Sequence, residues 1–73
     1  MIRLRIKELL EERKISQGKL SRGADIPSST VRRLIHDKDY EPTIGTLHKV
    51  AQFLGVKVDD LYYDDEAGEP DGQ

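Results

Sequence analysis

The chain has no cysteine. That excludes a disulfide, a thiolate nucleophile and a cysteine-bearing zinc site, and it suits a reducing compartment. No apolar run approaches the length of a membrane span, and the first residues lack the apolar stretch of a secretion signal. A protein that stays soluble in the cytoplasm is therefore expected. No nucleophile, base and orienting acid stand at recognisable spacing, so no catalytic residues and no enzyme are expected. His36 and His48 lie too far apart in sequence for a local metal pair, and neither a metal nor a cofactor is called for. With only 73 residues the chain is one small domain, with a core that is marginal without staples or a partner copy.

Basic residues are missing from one region. All 12 Lys and Arg lie in residues 1–57, beside 7 Asp and Glu, so that part carries +5. Residues 58–73 hold the other 7 acids and no base, giving −7. The net charge of −2 thus conceals a basic body and an acidic tail, and the body has the sign needed for phosphate contacts. Solvation of a small helical domain would account for the same charges.

Apolar spacing then organises the chain. Residues 2–7 alternate apolar and basic before Glu8-Leu9-Leu10-Glu11-Glu12-Arg13 turns helical, which puts the start of a first helix near Arg5. Ser16 is an N-cap type residue opening a second helix that buries Leu20 and Ala24. Gly23-Ala24-Asp25-Ile26-Pro27 ends that helix and begins another: Gly and Asp tolerate positive φ, and Pro27 pushes Ile26 out of the helical region. On a wheel of about 100° per residue, Ser28, Ser29, Arg32, Arg33 and His36 share one arc while Val31 and Leu34 point away. So short a helix needs those two apolar residues as anchors, which leaves hydroxyls and guanidiniums facing out. Further on, Thr43 is an N-cap, Leu47, Val50, Ala51 and Leu54 form a core stripe joined by Phe53, and Gly55 is a C-cap. Residues 56–61 read as a short fifth helix. Beyond Tyr63 no apolar periodicity remains, so residues 64–73 are expected to be a disordered acidic tail on a folded unit of residues 1–63.

Two glycines stand in first turns, where they cost up to about 1 kcal/mol against alanine. Gly18, followed by Lys19, becomes sensible if a phosphate oxygen approaches the helix N-terminus, since the missing side chain makes room and the ammonium complements the anion. Gly45, between Thr43 and Thr46, offers a second such place, with packing as the alternative. Gly18-x4-Gly23 imitates a phosphate loop, but Ala24-Asp25 stands where Lys-Ser/Thr is needed. Asp37, Asp39 and Glu41 imitate a calcium loop, but Pro42 and His48 replace its turn glycine and closing glutamate.

Ser16-Gln17, Leu20, Ser21, Ala24, Ile26, Thr30-Val31 and Leu34, followed by Pro42-Thr43, Thr46-Leu47, Ala51, Leu54-Gly55-Val56 and Asp59-Asp60-Leu61, resemble the Cro/cI-type (Xre-family) helix-turn-helix regulators over roughly residues 4 to 62. The resemblance implies an all-α, five-helix, lambda-repressor-like domain. Some small relatives add an N-/C-terminal strand pair, for which Leu61-Tyr62-Tyr63 would serve. It implies a sequence-specific transcription regulator binding double-stranded DNA through residues 28–36, with Ser28, Ser29 and Arg33, and Arg32 beside them, at base edges, and Gln17 on a backbone phosphate. Gly18, Lys19, Lys38, Tyr40, Thr43 and Thr46 are the further phosphate candidates, with Arg13, Lys14 and Arg22 behind them. The chain departs from the family at Gly18-Lys19, where acids are usual, and at Pro27, where Ser or Thr is usual. A homodimer is implied, with Val56, Lys57 and Val58 at its interface. The competing reading is an antitoxin or adaptor whose acidic tail engages a protein partner.

Overall fold

The computed structural model describes residues 2–37 and 39–64. A short strand β1 (Ile2–Leu4) leads into helix α1 (Ile6–Arg13), followed by α2 (Gln17–Ala24), α3 (Ser28–His36) and α4 (Ile44–Leu54). A single 3-10 turn (Val58–Leu61) and strand β2 (Tyr62–Asp64) close the chain. The strands pair antiparallel, with Ile2 opposite Asp64, Arg3 opposite Tyr63 and Leu4 opposite Tyr62. The fold is thus mostly helical with the small strand pair. Asp64 belongs to β2, one residue past the expected domain end, and the rest of the acidic tail lies outside the described residues.

Each helix is stopped by its local chemistry. Lys14 takes a left-handed conformation (φ 56°) after α1 and turns its N–H back to the carbonyls of Glu11 and Leu10. Ser16 caps α2 by accepting from the Lys19 amide at 3.1 Å. A cap of this kind contributes about 1 kcal/mol, enough to offset the cost of Gly18 in the same turn. Asp25 ends α2 in the left-handed region (φ 59°), and the Ser21 hydroxyl donates to the Ile26 carbonyl at 2.6 Å, clamping the corner. Thr43 caps α4 through the Thr46 amide at 3.1 Å, and Gly55 ends it at φ 72°.

Twelve apolar side chains form the core, drawn from all four helices and including Ile26 and Leu61. Phe53 is half-buried and lies across Gly23, where a Cβ would stand 2.1 Å from its ring. Gly23 is therefore a helical residue that lets α2 approach α4, and the turn expected of it falls to Asp25.

The expected fifth helix over 56–61 is replaced by the shorter 3-10 turn at Val58–Leu61. After Gly55 the Val56 N–H returns to the Ala51 carbonyl at 3.0 Å, and Lys57 is extended. Only four residues then remain before Tyr62 must pair with Leu4. The chain covers that distance in a 3-10 turn, which rises further per residue than an α-helix, and the Lys57 N–H to Asp60 carboxylate bond at 3.0 Å closes it. Nearby, the Tyr62 hydroxyl is held above its ordinary pKa by donating to Asp59 and by that carboxylate's charge.

Candidate nucleic-acid interface

α3 is held by its inner face. Val31 and Leu34 retain 1% and 3% of their accessible surface, an anchorage of about 1.5–3 kcal/mol for each side chain. Ser28, Ser29, Arg32, Arg33 and His36 are all exposed. Pro27 is the N-cap and brings no side-chain cap, while its carbonyl receives the amides of Thr30 and Val31 at 3.0 and 3.1 Å. Ser28 is thus the first helical residue, and its hydroxyl is not spent as a cap. Arg32 makes no polar or ring contact among the described residues. Arg33 lies over the Tyr40 ring, 5.8 Å from its centroid, a contact that steadies the guanidinium while leaving its edge accessible.

The start of α2 comes up against the end of α3. Gln17 Nε2 stands 3.4 Å from His36 Nε2, a link between two helices that no spacing in the sequence foretells. His36 shares the wheel arc of the arginines, which was its one visible signal. The space that Gly18 leaves is used by the protein itself: Arg22 lies there, its nearest nitrogen 3.3 Å from where a Cβ would be. Lys19 is exposed. Arg13, by contrast, gives its guanidinium to the Leu54 carbonyl at the end of α4, which makes it a structural tie.

At the start of α4 the two threonines divide their work. Thr43 Oγ1 accepts from the Thr46 amide and donates to Thr46 Oγ1, each at 3.1 Å, so its one hydroxyl hydrogen is engaged. The hydroxyl hydrogen of Thr46 is left to donate outward. A Cβ at Gly45 would meet only Thr43 Oγ1, at 3.9 Å, so packing does not demand glycine there. Lys38 lies outside the described residues.

Val56 and Val58 are half-buried against the core. The most exposed large apolar side chains are instead Ile44 at 72% and Ile2 at 56%. They border a groove of about 730 Å³ whose walls include Leu4, Tyr40, Pro42 and Tyr62. Among the described residues no group of three His, Cys, Asp or Glu could hold a metal ion, and no helix is long and apolar enough to cross a membrane.

A family model described as the Cro/C1-type helix-turn-helix DNA-binding domain matches residues 5–66. The crystal structure of a Bacteroides fragilis protein to which DNA binding is ascribed aligns with a TM-score of 0.74 and 27% sequence identity, covering 86% of this chain and 100% of that one. No curated protein sequence matches the chain.

Proposed function

The chain belongs to the Cro/C1-type helix-turn-helix DNA-binding domain family, and from that premise we propose that it is a sequence-specific, homodimeric transcription regulator that inserts α3 into the major groove of cytoplasmic DNA. The observation that carries this reading is the division of α3: Val31 and Leu34 are buried, while the hydroxyls of Ser28 and Ser29 and the guanidiniums of Arg32 and Arg33 face out.

Arginine forks onto guanine O6 and N7, a contact worth about 1–3 kcal/mol of discrimination, whereas serine is nearly indifferent to base identity. Arg33, steadied by Tyr40, and Arg32 therefore set the base preference. Gln17 and Lys19 at the start of α2, with the Arg22 guanidinium that lies over Gly18, and Thr46 with the open backbone at Gly45, hold phosphates on either side of the groove. Thr43 serves that second phosphate by orienting Thr46, whereas Tyr40 serves base reading by steadying Arg33. One such module offers little base-reading area, so two copies would read half-sites roughly 34 Å apart. The groove lined by Ile2, Pro42 and Ile44 supports a contact between copies better than the half-buried Val56 and Val58 do.

Selection of bound sequences from a random duplex pool at stated salt tests the whole reading, with an enriched palindrome as the expected result. No enrichment, with tight capture of a protein partner, would favour the adaptor. Within the site, Arg33→Ala should lose about 1–3 kcal/mol on the preferred duplex and far less on random duplex, while Gln17→Ala should weaken both alike. Equal losses for both variants on both duplexes would refute the division between base and phosphate contacts.

A further inference from the structure

We propose that His36 and Gln17 form a proton-linked phosphate clamp, so that affinity for duplex DNA rises as pH falls through the imidazole range. The inference rests on the DNA-binding reading above and adds a residue to which that reading gives no role.

His36 is exposed, shares the arc of Arg32 and Arg33, and is the last residue of α3. Its Nε2 faces Gln17 Nε2 at 3.4 Å, beside the N-terminus of α2. Two nitrogens can share a hydrogen bond only if one offers a lone pair. With the ring neutral the pair has two arrangements: the Gln17 amide donates to Nε2 while Nδ1 carries the ring hydrogen, or Nε2–H donates to a turned Gln17 Oε1 while Nδ1 is left a bare acceptor. With the ring protonated, Nε2 becomes a donor, and a half-turn of the amide sets Oε1 against it. Only then can both amide hydrogens and the Nδ1–H donate outward together. A phosphate oxygen is an acceptor and an anion, so it favours the protonated arrangement on both counts.

Lys7, Glu11 and Lys14 from α1 and its C-cap share one shallow depression with Gln17 and His36. Arg32 and Arg33, on the ring's own helix, share another with it and with Asp37 and Asp39 of the following loop. Cations and carboxylates thus both stand around the ring. An added phosphate, as an anion and an acceptor, favours the protonated ring. Histidine is the side chain whose ordinary charge change falls between about pH 5 and 8, so the effect lies in an accessible window.

The test is the dissociation constant of the full chain for a mixed-sequence duplex at fixed low salt, from about pH 8 down to about pH 5.5. The native chain should tighten about five- to tenfold, tenfold corresponding to a rise of about one unit in the ring's pKa on binding. His36→Gln should stay within about twofold across the range, and His48→Gln should tighten like the native chain. Equal tightening in His36→Gln, or a flat native profile, overturns the inference while leaving the DNA-binding reading intact. Failure of all three proteins to bind duplex at any pH overturns both. Ring-proton NMR of the native chain gives a second readout independent of the variants: the His36 titration midpoint should rise when duplex is added, and an unmoved midpoint overturns the proposal.

Discussion

A single hydrogen atom is all that Gly23 can place between α2 and α4. A Cβ there would stand 2.1 Å from Cε1 of Phe53 and 2.6 Å from Cδ1 of the same ring, well inside any tolerable contact. Relief requires the ring to leave its rotamer or the helices to separate, and overpacking of this kind costs about 1–3 kcal/mol. The gain in helix propensity from replacing glycine with alanine is at most about 1 kcal/mol, so the clash wins. Gly23→Ala is therefore expected to lower the midpoint of urea unfolding, and Phe53→Leu in the same chain should recover part of the loss. A Gly23→Ala chain as stable as the native one would mean that α2 and α4 do not approach as closely as described.

At the scale of the element, the first turn of α4 separates folding from binding. Nothing near Gly45 needs glycine for space, and the turn is already capped by Thr43, so Gly45→Ala should stabilise the fold by about 0.5–1 kcal/mol. If a phosphate comes down on that backbone, the same methyl group should weaken duplex binding, giving a variant with a higher melting temperature and a poorer dissociation constant. A variant improved in both measurements would remove Gly45 from the interface. The elements whose causes are local were readable in advance: the cap at Ser16, the corner at Asp25 and Pro27, the cap at Thr43 and the stripe from Leu47 to Leu54. The arc of α3 was readable for the same reason, because its inner and outer faces follow from spacing alone. Distant partners were not readable. Gly23 looks like a turn residue until Phe53, far along the chain, is placed over it. The last apolar residues suggest a helix until the pairing of Tyr62 with Leu4 shortens the distance available. His36 looks like a surface residue until Gln17 is brought to it.

For the whole molecule, the small net charge is a poor guide to what a duplex would meet. Glu8 and Glu12 of α1 and Asp59 and Asp60 of the 3-10 turn gather around one depression that also holds Arg5 and Tyr62. Concentrating acids there leaves the arc of α3 with Arg32 and Arg33, and the start of α2 with Lys19 and the Arg22 guanidinium that lies over Gly18, so attraction to phosphate survives a negative total. Ile44 stands where two requirements meet: as the first residue of α4 it borders the turn proposed to meet a phosphate, and it is also the most exposed large apolar side chain of the groove. Ile44→Glu separates those requirements. An acid in the first turn of a helix is favourable by about 0.3–1 kcal/mol, so the fold should hold. A charge on each side of a two-fold contact would be desolvated beside its own copy, so the pair of chains should not. Sedimentation at micromolar concentration is expected to find the native chain as a dimer and Ile44→Glu as a folded monomer with an unchanged helical spectrum. If Ile44→Glu sediments as the native dimer does, the copies meet on another face, and the half-buried valines at 56 and 58 become the next place to introduce a charge.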